Sequence, residues 1–102
     1  MENKAALLNV LTKLHIKEEE TALKHSYEEN LNDLHIFFDD LIPGGFNRLL
    51  GILYSINISE DKLQSILEKR ENRHVPTAKI LAKLFIEWEE EKIKSQEKYR
   101  SQ

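Results

Sequence analysis

The sequence has no cysteine, three glycines, two prolines and no long apolar run among its 102 residues. The lack of cysteine excludes a disulfide framework, a thiolate nucleophile and a Cys-ligated metal site. No apolar run approaches the roughly 18 residues of a membrane-spanning helix, and the start of the chain does not resemble a secretory signal. We therefore expect a soluble protein of the cytoplasm that has no membrane partner.

Because glycine and proline are scarce, the chain has few places for turns, and long windows consist of good helix formers. The composition is 40% hydrophobic and 32% charged, which suits a globular protein better than a disordered one. A chain of this length builds one core. These features predict an all-α fold, a compact bundle of four to five helices in a single domain over residues 1–102.

The spacing of apolar residues predicts the helices of the first half. A leucine-rich stripe predicts a helix over about 2–15, and a second stripe with spacings of three and four predicts a helix over about 18–42. The first stripe, extended by the same rule, reaches Glu18 and not Leu23. We therefore expect a break near 15–18, with one continuous helix as the alternative.

Turn and capping residues divide the second half of the chain. Ile-Pro-Gly-Gly at 42–45 predicts a turn. Residues 46–57 then read as a short helix that is apolar nearly all round, which we expect in the middle of the core. Ser59 suits the N-cap of a helix ending near Asn72, and Pro76 suits the first turn of the last helix.

The core is expected to take one apolar face from each helix. Its predicted members are Leu7, Leu11, Leu31, Leu34, Phe38, Leu49, Ile52, Leu53, Leu63, Ile66, Leu67, Leu81, Leu84 and Phe85. The sequence then becomes strongly charged. Residues 89–102 are therefore predicted to form a solvent-exposed helical tail.

Residues of the types that carry out catalysis are present, but their spacing in the sequence does not place them on a shared helix face. His15, His25 and His35 stand ten apart, so each is rotated by roughly 80° from the last and they share no helix face. Glu71 and His74 form one Glu-x-x-His motif, whereas a di-iron bundle uses two. Phosphate-binding glycine loops and nucleophilic serine elbows are also missing. We predict no catalytic, metal or cofactor-binding residue, and an enzyme is the least supported class.

Charge is distributed unevenly along the chain. Residues 17–40 carry eight acids against two bases, whereas residues 62–83 carry six bases against two acids. Solvated helix faces of opposite sign that pack near one another are the favoured explanation, and steering of a partner is the alternative. We favour a non-enzymatic protein-interaction module, oligomerising, regulatory or inhibitor-like, that binds another protein or a second copy of itself. The candidate aromatic anchors are Tyr27, Phe37, Trp88 and Tyr99.

Residues 56–67 resemble the core of a repressor-type helix-turn-helix, and the resemblance extends over residues 46–88. Asn57 occupies the usual glycine position of that family, Ser59 follows an aliphatic residue, and aliphatic residues recur through the next helix. The resemblance implies a DNA-binding regulator. It places Lys62, Gln64, Ser65, Lys69, Arg73 and Lys79 towards nucleic acid.

Two acids decide between these functions. Glu60 and Asp61 lie on the first turn of the helix that would meet phosphates and base edges, where carboxylates are repelled. Nucleic acid is therefore the alternative partner and protein the favoured one. The region from about 58 to 99 is also similar, more loosely, to small uncharacterised bacterial helical proteins, a resemblance that implies no activity.

Overall fold

In a computed structural model, residues 3–100 form six α-helices and one 3₁₀ turn, and the side chains of residues 3–97 are described. The helices are α1 (Lys4–Lys13), α2 (Glu19–Leu23), α3 (Tyr27–Gly44), α4 (Phe46–Tyr54), α5 (Glu60–Glu68) and α6 (Thr77–Arg100), with the 3₁₀ turn at Arg70–Asn72. No β-strand occurs in this range. The all-α fold is confirmed.

The centre of the core lies where α3 and α1 pack against α6. Phe38 of α3 and Phe85 of α6 are fully buried, with ring centroids 5.4 Å apart. Leu7 and Leu11 of α1 belong to the same buried cluster. Four predicted core residues are only partly buried at its margin, namely Leu31, Ile52, Leu67 and Leu84, and Ile66 is partly buried outside this cluster.

The predicted place of α4 was wrong. Leu49 and Leu53 are its buried residues, whereas Phe46 is 50% exposed and Tyr54 is 60% exposed. Among the other helices, α4 packs mainly against α3. A short helix with one main neighbour buries one face only, so apolar residues on its other faces stay in solvent.

The predicted helix over 18–42 is divided into α2 and α3. A capping box starts α3: the Glu29 backbone N–H donates to Ser26 Oγ at 3.1 Å, and the Ser26 N–H donates to Glu29 Oε1 at 3.0 Å. These bonds satisfy two donors that a helix start leaves free, so a separate helix begins here. The expected break near 15–18 is present, with His15 at φ 57°.

The predicted turn at 42–45 is shorter than expected. Helix α3 continues through Pro43 to Gly44, and the Gly45 N–H donates to Leu41 O at 2.8 Å. Pro43 has no N–H and so forgoes one helical hydrogen bond, but this loss is confined to the last turn, and the burial of Leu41 favours the continued helix. A Cβ on Gly45 would lie 2.9 Å from Leu41 Cδ1, so a side chain at this position would require the Leu41 side chain to shift.

The connection from α4 to α5 has the conformation that its turn and capping residues favour. Asn57 has φ 61°, the left-handed conformation that asparagine tolerates, and the next N–H, of Ile58, donates to Leu53 O at 3.0 Å. Ser59 Oγ accepts a hydrogen bond from the Lys62 N–H at 3.2 Å, so the predicted N-cap is confirmed. Helix α5 ends at Glu68, before the predicted Asn72.

Helix α6 begins directly after Pro76, as predicted, and extends to Arg100. Its charged tail is not wholly exposed: Glu89 is buried and Ile93 packs against the core. The exposure expected from residue 89 onwards is therefore found mainly on the other faces of this segment. Within residues 3–100, no helix is long and apolar enough to span a membrane.

A buried polar cluster fastens α2 to α3. Asn30 is 6% exposed, and its Nδ2 donates to Ala22 O at 2.9 Å. Its Oδ1 accepts from Lys17 Nζ at 2.9 Å, and Lys17 also pairs with Asp33. A buried amide that bonds on both sides fixes the position of the short helix α2.

Replacing Asn57 tests the left-handed turn. We expect Asn57→Val to lower the free energy of unfolding by about 1–2 kcal/mol, because a β-branched residue is strained at positive φ. Asn57→Gly is the matched control and should leave stability nearly unchanged. Urea denaturation measures both, and equal stability of the two variants would contradict the turn geometry.

Replacing Asn30 tests the polar cluster. Asn30→Leu leaves the Ala22 carbonyl and the Lys17 ammonium without this partner, so we expect a loss of about 1–3 kcal/mol in thermal or urea denaturation. Asn32→Leu changes an exposed residue of the same helix and should cost less than about 0.5 kcal/mol. Equal losses would show that the cluster contributes no specific stability.

Candidate functional site

Four charged residues form a ridge along the exposed side of α6. Lys79, Lys83, Glu87 and Glu91 recur every four residues, and all four are exposed. Residues at this spacing form one of the ridges by which helices pack against each other. Lys83 Nζ lies 3.9 Å from Glu87 Oε1, a weak solvent-exposed pair. We call these four residues the α6 ridge.

A groove lies between α5, the 3₁₀ turn and α6, with a volume of about 610 Å³. Apolar side chains and lysines line it together. The apolar residues are Ile66, Val75, Ile80 and Leu84, and the lysines are Lys62, Lys69, Lys79 and Lys83. Glu71 and Glu87 also line it. We call it the basic groove.

Local sequence explains the α5 wall of the basic groove. Lys62, Ile66 and Lys69 are spaced by four and three residues, which places them on one side of α5. The chain then turns back towards α6. Asn72 Nδ2 donates to Ile66 O at 2.7 Å, and this bond holds the 3₁₀ turn against the end of α5.

A second groove, of about 470 Å³, lies between α3 and α6 on the other side of the ridge. Tyr27, Leu31 and His35 of α3 line it together with Ile86 of α6. Partial burial lowers the pKa of His35 below its ordinary value, and the nearby Lys79 lowers it further. Asp39 acts in the opposite direction. The folded protein therefore disfavours the protonated form of His35.

The structure brings together only some of the residues predicted to face nucleic acid. Lys62, Lys69 and Lys79 line the basic groove. Gln64 lies elsewhere on α5, in a depression that includes Phe46, with its Nε2 3.4 Å from Glu68 Oε1.

The remaining two predicted nucleic-acid-facing residues, Ser65 and Arg73, are exposed but do not line the basic groove. Gln64 therefore does not line the groove that contains Lys62, Lys69 and Lys79.

The predicted aromatic anchors occupy different sites. Tyr27 is half-buried in the α3–α6 groove. Phe37 is half-buried against Phe38, with ring centroids 5.3 Å apart. Trp88 is half-buried, and its Nε1 has no hydrogen-bond partner among the described residues. The Tyr99 side chain lies outside the described part of the structure.

Sequence reasoning missed several residues of this surface. Lys83, Glu87 and Val75 were not singled out, although Lys79 and Lys83 at a spacing of four could have indicated a shared face. Phe46 belongs to the helix that was expected in the middle of the core but is exposed, and the exposed Tyr54 was not singled out. Their exposure depends on how many helices surround α4, which periodicity does not report.

The described residues offer little convergent metal-binding chemistry. No group of three His, Asp or Glu side chains within residues 3–97 is arranged to hold a metal ion. Glu71 and His74, the single Glu-x-x-His motif, are both exposed near the 3₁₀ turn. What the surface does offer is a groove with apolar side chains and positive charge.

No protein-family model matches this chain, and no curated protein and no solved structure matches it. The surface itself is therefore the basis for inferring function.

His35 should make stability depend on pH. Its pKa is lowered in the folded protein, so the unfolded chain binds the proton more readily. The contribution of His35 to the free energy of unfolding is complete above the ordinary histidine pKa of about 6.5. It declines as the pH falls through that value. We expect His35→Gln to lose less stability than the parent chain between about pH 7.5 and about pH 5.

Urea denaturation at the two pH values measures this difference. His15→Gln, at an exposed residue, is the control and should lose as much stability as the parent chain. An equal loss in the His35 variant would contradict the stated role of His35.

Proposed function

We propose that this chain is a non-enzymatic protein-interaction module that binds an acidic segment of a partner protein in the basic groove. One observation carries the proposal: Lys62, Lys69, Lys79 and Lys83 line the same groove as four apolar side chains. A partner that combines carboxylates with aliphatic side chains complements both features.

The two features contribute differently to binding. An exposed ion pair contributes about 0–1 kcal/mol, whereas burying one aliphatic side chain contributes about 1.5–3 kcal/mol. The apolar side chains of the groove therefore supply most of the affinity. The lysines select acidic partners and raise the association rate.

The exposure of the lysines supports recognition of a partner over an internal structural role. Lys62, Lys69 and Lys79 make no ion pair within 4.0 Å in the described part of the chain, and Lys83 has only the 3.9 Å contact with Glu87. Their charges are therefore not neutralised within the fold. Such a site suits a regulatory or inhibitory protein of the reducing cytoplasm, where a cysteine-free chain functions well.

A DNA-binding regulator is the second candidate. The left-handed Asn57 and the N-cap Ser59 between α4 and α5 favour it, since they fit the helix-turn-helix resemblance. Against it, Glu60 and Asp61 occupy the first turn of α5, and Gln64 lies outside the groove of the lysines. We therefore rank protein above DNA as the partner.

Reversing two groove charges tests the proposal. Peptides selected from a random displayed library on the purified chain should contain Asp or Glu beside aliphatic residues. We expect Lys62→Glu/Lys69→Glu to weaken their binding about tenfold or more, because attraction at two rim positions becomes repulsion. Fluorescence anisotropy of the labelled peptides measures the Kd.

The matched control is Lys4→Glu/Lys24→Glu, the same charge change at exposed lysines outside the groove. It should leave the Kd within about twofold. Equal effects of the two double variants, or selected peptides without acidic residues, would overturn the proposal. Binding of random duplex DNA that weakens steeply with salt and is lost in Lys62→Glu/Lys69→Glu would favour the DNA-binding alternative.

A further inference from the structure

The charges of the α6 ridge follow a self-complementary order. Lys79 and Lys83 lie in its first half, and Glu87 and Glu91 lie in its second. Their midpoint falls at residue 85. If a second α6 lies antiparallel across this midpoint, each lysine of one ridge faces a glutamate of the other.

This order has the symmetry that a two-fold dimer requires. In an isologous interface, the same patch on both subunits is self-complementary, so residue i contacts j and j contacts i. Antiparallel α6 helices would pair Lys83 with Glu87 of the second copy, and Lys79 with Glu91 of the second copy. Two-fold symmetry repeats both pairs, so four ion pairs form along about 18 Å of helix.

The ridge residues are available for these contacts. All four are exposed, and within the described part of the chain Lys79 has no ion pair within 4.0 Å. Lys83 contacts Glu87 at 3.9 Å, and Glu91 contacts Lys94 at 3.8 Å. These weak, exposed intrachain pairs are readily exchanged for pairs across an interface.

The ridge also has apolar surface beside it. Ridges spaced by four residues pack into the grooves of a facing helix. Leu84 lies next to the ridge in the basic groove and is half-buried, and Tyr27 is half-buried in the groove on the other side. A facing helix that covers these side chains supplies the apolar burial that exposed ion pairs alone do not provide.

We propose that the chain forms a two-fold homodimer in which the α6 ridges of two copies pack antiparallel. This inference deepens the proposed function by naming a second copy as one partner, and it rests on that function because Lys79, Lys83 and Glu87 of the ridge line the basic groove. The palindromic charge order distinguishes a second copy from an unrelated acidic protein, which would require no such symmetry.

Complementary charge reversals test the dimer. At about 100 µM and low salt, multi-angle light scattering should give the parent chain twice the 12.0 kDa of a monomer. Lys79→Glu/Lys83→Glu makes the ridge wholly acidic, and Glu87→Lys/Glu91→Lys makes it wholly basic. Each variant alone should therefore have the mass of a monomer. An equimolar mixture should recover the dimer mass, because the acidic ridge of one complements the basic ridge of the other.

Recovery on mixing separates a lost contact from a lost fold, since a misfolded variant is not rescued by its partner. Lys4→Glu/Lys24→Glu is the control and should remain dimeric. A parent chain of 12.0 kDa at this concentration, or well-folded variants that stay monomeric when mixed, would overturn the dimer. The proposed function fails separately, because its test reverses Lys62 and Lys69, which lie outside the ridge.

Discussion

The packing of Phe38 against Phe85 fixes α3 on α6, and both grooves depend on it. Two fully buried rings at this contact settle which side of α6 faces inward. The α6 ridge must then face outward, because a helix that buries one side leaves the opposite side to solvent. Helix α3 flanks this ridge on one side, and α5 with the 3₁₀ turn flanks it on the other. One core contact thus determines where the exposed charges and both grooves lie.

Local chemistry was the most predictable part of the fold. Asn57, Ser59 and Pro76 act within a few residues of their own positions, and the structure places each where the sequence indicated. The division of the second helix was also encoded locally, in the capping box of Ser26 and Glu29, but a continuous apolar stripe concealed it. The exposure of α4 was not predictable, because apolar periodicity does not report how many neighbours surround a helix.

The candidate site was predictable only in part. The sequence did not specify whether the bases of residues 62–83 share one face, and in the structure Lys62, Lys69 and Lys79 line one groove. Gln64 does not join them, since the rotation of α5 is set by the burial of Leu63. The apolar members Val75 and Leu84 come from separate segments. Their convergence requires the chain to reverse at the 3₁₀ turn, which no short-range pattern specified.

The attachment of α5 has a consequence for the groove. Leu63 is the buried residue of α5. Helix α5 packs most extensively against the adjoining 3₁₀ turn, whereas α6 packs along both α1 and α3. Segments with few buried contacts open at lower free energy than the core, so α5 amides should exchange with solvent before those of central α6. The α6 wall of the basic groove is thus held by the core, whereas the α5 wall opens more easily. The width of the basic groove can therefore change without disruption of the core.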